Sequence, residues 1–335
     1  MHVLILGGDG FIGSHLLQKH LDNGDTCTIV DIETLRTNHK SKDYSYIHCD
    51  LSLSIKKNIK LIDKIKPDLI YNCVAIANPS FYVKYPKETF ELDFKINYEN
   101  IIKPIIATEI PLVHFSTSEI YGKKWNEPYN EDKTNLIIGP TQKSRWIYAT
   151  SKILLEQLLL AEKSKFIIIR PQNFIGWNMD WLPDMENNTN KFWIPRLPAC
   201  FLNALFYDKD LYIVNPGTQK RCYTHISDAV DCIYNLVQSF ELCEGEVFNV
   251  GNNANEISIT ELAHLFITLW FEYTGKQHNK IKNINGEDFF GEGYEDCERR
   301  FFSDEKIKNY IFWEPKINIK DTIAKTIEDA IKNYK

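Results

Sequence analysis

No stretch of this 335-residue chain approaches the roughly 18 uninterrupted apolar residues that a membrane-spanning helix requires. Basic charge is not in excess either: 39 Lys and Arg face 45 Asp and Glu, a formal charge of -6. The lysines are scattered among acidic residues, so no surface for a nucleic-acid backbone is expected. There is no Cys-x-x-Cys pair; the eight cysteines are dispersed, which argues against a disulfide framework or a zinc site, and no metal is expected. The N-terminus enters His2-Val3-Leu4-Ile5-Leu6 without a leader pattern, so the expected location is cytoplasmic. Internal repeats and low-complexity tails are missing as well. What remains, 44% apolar and 25% charged residues, is the composition of a globular protein with a sizeable core.

Short β-rich runs recur at Val3 to Leu6, Cys27 to Val30, Tyr46 to His48, Leu69 to Asn72, Leu112 to Phe115 and Phe166 to Ile169. Segments of helical period lie between them: Phe11 to Leu21, Ile59 to Ile65, Thr89 to Ala107 and Trp146 to Ala161. Alternation of this kind, with strands apolar on both faces, predicts an α/β fold: a Rossmann-like doubly wound parallel sheet. After Arg170 the alternation breaks down, and a smaller, discontinuous C-terminal substrate lobe is expected. The predicted division is 1–170 plus about 222–250 for the nucleotide-binding domain, and 171–221 with 251–335 for the substrate lobe. The Asn-rich run Glu186 to Asn190 suits a solvated loop or a lid equally well.

The first strand runs into Gly7-Gly8-Asp9-Gly10-Phe11-Ile12-Gly13. Glycines at 7, 10 and 13, where a strand turns into a helix, let the backbone approach a pyrophosphate facing the helix N-terminus. Asp31-Ile32 follows the second strand at the distance expected for a carboxylate on the adenosine ribose, which favours NAD over its 2'-phosphorylated form. Asp50-Leu51, after the third strand, is placed to meet the adenine end, although an aspartate there also reads as a helix cap. Tyr148 and Lys152 stand one helical turn apart, where a cationic lysine lowers the phenol pKa and makes a general base. Alone that pair reads as surface residues; Ser116-Thr117-Ser118-Glu119 at the end of a preceding strand completes a dehydrogenase site.

With these motifs the chain resembles the extended short-chain dehydrogenase/reductase (NAD-dependent epimerase/dehydratase) family, which acts on nucleotide sugars. Within that family it looks most like bacterial UDP-glucuronic acid oxidative decarboxylase, the decarboxylase domain of the bifunctional polymyxin-resistance enzyme. The stretches Val74 to Pro79, Phe90 to Phe94, Asn135 to Pro140, Arg145 to Tyr148, Gln219 to Thr224 and Gly291 to Asp296 carry the closer match. The resemblance implies catalytic roles for Ser118, Glu119, Tyr148, Lys152 and Arg300, and substrate binding by Tyr82, Thr117, Asn173, Arg196, Arg221 and Tyr294. It adds Ala75, with Tyr148 and Lys152, to the NAD site formed by Gly7, Gly10, Phe11, Ile12, Gly13, Asp31, Ile32, Asp50 and Leu51. The implied reaction is NAD-dependent oxidation of UDP-glucuronate at carbon 4 and loss of CO2 to a UDP-4-keto-pentose. The alternatives are a UDP-xylose synthase that retains NADH, a 4-epimerase or 4,6-dehydratase, and an NAD-binding regulatory protein. A homodimer through the two long helices beside the site is also implied, while the formyltransferase half of the bifunctional relative has no counterpart here and is expected in another protein.

Three departures bear on substrate. Gly176-Trp177-Asn178 stands where relatives usually have Gly-Pro-Arg, and Arg299-Arg300-Phe301 replaces a frequent His-Arg-Lys, leaving the critical arginine at 299 or 300. Ala77 and Ser118 occupy places where apiose-forming plant relatives carry cysteines, so ring contraction is not expected.

Overall fold

The computed structural model describes residues 1–32, 42–123, 127–162, 164–180 and 194–333. Seven strands form the main sheet: β1 (His2–Leu6), β2 (Thr26–Asp31), β3 (Tyr44–His48), β4 (Leu69–Asn72), β5 (Leu112–Phe115), β6 (Phe166–Pro171) and β7 (Val247–Val250). Their spatial order is β7-β6-β5-β4-β1-β2-β3, and every pairing is parallel. This is the doubly wound sheet expected from the alternation of strands and helices. Successive side chains enter opposite layers. Val3 and Ile5 pack with Leu16, Leu17, Ile233 and Leu236 on one face, while Leu4 and Leu6 pack with Ile62, Ile101, Ile105, Leu155 and Leu159 on the other. Each such fully buried aliphatic side chain contributes about 1.5–3 kcal/mol of transfer free energy, so the continuous apolar runs are what fix the sheet between two helical layers.

A second core joins Phe201, Leu205, Leu211, Ile213, Phe266, Trp270, Ile323 and Ile327. Its main helix, Ile259–Thr274, begins at a reciprocal cap between Ser258 and Glu261 and ends at Gly275, where φ is 70°; both ends are thus satisfied locally. Small sheets pair Leu211–Val214 with Ile281–Ile284, and Lys220–Cys222 with both Glu256–Ser258 and Arg299–Arg300. Ile307 and Trp313, placed by sequence in the substrate lobe, pack instead into the core on one face of the main sheet.

The helical segment expected at Thr89 to Ala107 is present with a difference. Its middle, Glu91–Ile102, winds as a wide π-helix, and the Lys103 amide still reaches back five residues to the Tyr98 carbonyl. Pro104, which has no N–H to continue an α-helical ladder, follows directly. No helix among the described residues is long and apolar enough to cross a membrane. The Glu186 to Asn190 run lies outside the described residues.

Candidate active site

The strand order reverses between β1 and β4, and an α/β sheet opens a crevice at the C-terminal ends of such a pair. A cavity of about 950 Å³ lies there, running from the glycine turn to the second core. Gly7 sits at φ 72°, and a Cβ on it would come 3.1 Å from the Cys73 carbonyl carbon; one on Gly13 would lie 2.5 Å from the Gly7 oxygen. These two glycines let strand, turn and helix close on one another. Gly10 differs: a Cβ there would meet only the Gly7 oxygen, at 3.2 Å, so its free face is toward the cavity that it lines. The helix Phe11–Asp22 starts at this point, with amides available to an anion.

Asp31, at the end of β2, accepts hydrogen bonds from the Asp9 amide at 3.0 Å and the Ile32 amide at 2.8 Å and borders the cavity. Phe11, Ile12, Ile32 and Ala75 line the same end. These residues fit a dinucleotide. Asp50 and Leu51 are not among the lining residues: Asp50 accepts the Ser52 amide in a local turn, and Leu51 is buried in the core against that face of the sheet. The helix that follows, Ile55–Ile65, is capped by Ser54 and not by Asp50.

Tyr148 is buried and stacks on Tyr82, with ring centroids 5.0 Å apart and an interplanar angle of 5°. Burial pushes its phenol well above the ordinary value, the Asp93 and Glu119 carboxylates push the same way, and a hydrogen bond with Thr117 opposes them. The Lys152 ammonium lies 6.0 Å from the centroid of the Tyr148 ring. The Lys152 ammonium donates to the Phe115 carbonyl at 3.2 Å and lies 4.0 Å from Asp93, and burial lowers its own pKa. Its charge is directed at the strand end and the neighbouring helix.

Elsewhere on the cavity wall, Glu119 is held by the Tyr82 hydroxyl at 3.2 Å, Arg145 at 2.8 Å and Arg300 at 3.5 Å. Burial pushes its carboxyl up, yet the Arg145 and Arg300 charges outweigh burial and hold it below the ordinary range. Asp296 follows the same pattern, with Arg221 at 2.5 Å the leading cation against burial. Thr117 caps the turn Ser118–Tyr121, which carries Ser118 and Glu119 into the cavity. Asn173 (φ 30°) donates to the Cys222 carbonyl, and Arg196 pairs with Asp180 and lies over the ring of Phe11. Both line the cavity, as do Tyr82, Thr117, Arg221, Tyr294 and Arg300.

Adjacent residues of a strand face opposite ways, and this decides between the two neighbouring arginines. Arg299 turns outward to Glu256, whereas Arg300 is 5% exposed, lines the cavity and leaves its Nε without a hydrogen-bond partner. Sequence reasoning gave no role to Arg145, which anchors Glu119 and stacks on Trp146, nor to Asp93, Asp180 or Asp296. Asn178, of the Gly-Trp-Asn departure, donates to the Ser14 hydroxyl at 3.1 Å and ties its loop to the first helix.

A UDP-D-apiose/UDP-D-xylose synthase of Oryza sativa subsp. japonica is 31% identical over 360 residues, covering 99% of this chain and 90% of that protein. The crystal structure of PbgP3 protein from Burkholderia pseudomallei matches at TM-score 0.87 and 27% identity, over 99% of this chain and 96% of the other. UDP-glucuronic acid 4-epimerase from Bacillus cereus, solved with UDP-glucuronic acid and NAD, shares the fold at TM-score 0.79 and 20% identity over 99% of each chain. The profile of the NAD dependent epimerase/dehydratase family matches residues 3–251, from the first strand of the seven-stranded sheet to its last. The chain therefore belongs to the NAD dependent epimerase/dehydratase family, and its cofactor is NAD.

Proposed function

We propose that the enzyme oxidises UDP-glucuronate at carbon 4 and releases its carboxyl group as CO2, leaving a UDP-4-keto-pentose. The observation that carries this reading is Arg300, a buried guanidinium on the cavity wall whose Nε has no partner. It stands in a cluster in which three arginines, Arg145, Arg221 and Arg300, face two carboxylates, Glu119 and Asp296. Both carboxyls are held below their ordinary range and so are ionised; the cluster has one positive charge in excess. A buried excess cation is costly until an anion joins it. A hexuronate brings an anion on the sugar itself, in addition to the diphosphate that every UDP-sugar carries.

NAD, when bound, supplies the acceptor for the hydride that leaves carbon 4. The glycine turn would hold its pyrophosphate, Asp31 its adenosine ribose, and Lys152 and Tyr148 its other ribose. Tyr148 takes the proton of the 4-hydroxyl. The carboxylate is then β to a ketone, and as the carbon–carbon bond breaks its electron pair passes into that carbonyl. Tyr148 returns a hydrogen bond to the enolate oxygen, assisted by the Thr117 and Ser118 hydroxyls. Arg300 orients the carboxylate beforehand and helps deliver a proton to carbon 5, while ionised Glu119 keeps Arg300 and Tyr82 in place. If the ketone is reduced again before release, UDP-xylose results, and the name of the rice relative supports keeping that product in view. Ala77 and Ser118 line the cavity where a ring-contracting enzyme would need thiols.

Incubation with UDP-glucuronate and NAD should release CO2, with mass spectrometry showing the 4-ketone, lighter than UDP-xylose by two hydrogens. A 4-epimer with no CO2 would reject the reading. The same reading carries a homodimer through the helix Trp146–Glu162, on which Leu154 and Leu160 remain exposed. It also carries a cofactor preference. Asp31 would repel a 2'-phosphate while accepting ribose hydroxyls, so NAD should bind at least about tenfold more tightly than NADP, roughly 1.4 kcal/mol. Equal affinities by calorimetry would remove this role from Asp31.

A further inference from the structure

A carboxylate lies behind Lys152, on the side away from the cavity. Asp93 is fully buried on the wide helix Glu91–Ile102, four residues before Asn97. Both side chains face the chain that leaves β4. Asn97 meets the Asn72 amide and the Val74 carbonyl, and Asp93 accepts the Ile76 amide at 3.0 Å through Oδ1. The other oxygen, Oδ2, has no hydrogen-bond partner, and Lys152 Nζ stands 4.0 Å from Oδ1. Had the carboxylate served only to hold the 74–76 segment, one oxygen would suffice, and an amide side chain could do the same without burying a charge.

We propose that Asp93 is a positioning residue that fixes the charge and aim of Lys152 and so sets the pH range in which Tyr148 accepts its proton. The inference rests on Tyr148 being the base. The surroundings make the pair selective. Toward Lys152 face the Cys73 thiol beyond β4, the His114 imidazole on β5, and Glu156 one turn along its own helix. Burial first, and then Lys152, keep His114 uncharged, and burial raises the Cys73 thiol beyond ordinary ionisation. Glu156 is engaged by Arg170 at 3.0 and 2.6 Å. On the cavity side stand Tyr148 and Glu119, the latter tied to Arg145 and Arg300. Among the described residues Asp93 is therefore the carboxylate beside Lys152 that is not committed to another cation. Burial lifts its carboxyl to about 6, against the pull of Lys152 and the Ile76 amide, while Asp93 in turn supports the ammonium and opposes ionisation of Tyr148.

Removing the Asp93 charge lets burial lower Lys152 further, and it removes a charge that disfavours the phenolate, so both limbs of a pH–rate profile should move to lower pH. The test uses the NAD-loaded protein with 15N-lysine, Lys152 being assigned by its loss in Lys152→Met. In Asp93→Asn the Lys152 resonance should titrate at least about one pH unit lower than in the wild type, and Asp93→Glu should restore most of the shift. With UDP-glucuronate the Asn variant should show both limbs displaced downward. A Lys152 titration that does not move, or a rate reduced equally at all pH values, would overturn the proposal and leave Asp93 as a loop anchor. If the wild type does not turn over UDP-glucuronate, the substrate reading fails and the lysine titration alone decides the Asp93 role. Should Asp93→Asn not fold, Lys152→Met in 13C-aspartate protein must raise the Asp93 carboxyl; a carboxyl that does not respond overturns the coupling.

Discussion

Tyr148→Phe should slow the chemical step by roughly a hundredfold or more while NAD affinity changes little. The phenylalanine keeps the ring that stacks on Tyr82, 5.0 Å away and nearly coplanar, so the packing of Tyr82, Val83 and Tyr148 persists. Only the oxygen hydrogen-bonded to Thr117 is lost. Single-turnover formation of NADH, followed by absorbance, reads the oxidation step, and calorimetry reads cofactor binding. Turnover near the wild-type rate would mean that another group takes the 4-hydroxyl proton. In the protein alone burial holds the phenol protonated, and bound cofactor and substrate replace those surroundings when the base acts.

The parts of this site that repeat along the chain were legible in its sequence. Glycines at 7, 10 and 13 between a strand and a helix, an aspartate closing the next strand, and Tyr148 and Lys152 one turn apart are local patterns, and local patterns survive without knowledge of the fold. The charged lattice at the sugar end is different. Arg145 meets Glu119 across 26 residues, and Arg300 meets the same carboxylate across 181. Such pairs are made by tertiary packing between elements distant in sequence, and nothing in their spacing announces them. Asp93 was hidden for another reason. Its helix winds with wider turns than the usual period, so the face it presents cannot be read from an α-helical count. At Asp50 a local turn engages one carboxylate oxygen, and in the Tyr148 and Lys152 pair the aim of the ammonium is set by tertiary packing against the Phe115 carbonyl and Asp93.

Replacing Arg300 by methionine should weaken use of UDP-glucuronate by more than about 2 kcal/mol in kcat/KM, with much less effect on NAD affinity. The substitution keeps most of the side-chain volume and removes the guanidinium, so Cys222, whose thiol contacts the Arg300 carbonyl, keeps its backbone neighbour. What disappears is the cation in excess of the Glu119 and Asp296 carboxylates, and a desolvated sugar carboxylate is left without its partner. Lysine at 300 should rescue poorly, since a point charge cannot reproduce a planar fork that reaches Glu119 with one nitrogen and keeps others for a second acceptor. Arg299→Met is the matched control. Its guanidinium is paired with Glu256 and stacked on Phe301 at 3.8 Å, so its removal should leave decarboxylation nearly unchanged. Loss of CO2 release only at 299 would transfer the role to that residue. Full activity in both variants would remove the carboxylate-binding arginine from this strand, and the charge argument for a hexuronate with it.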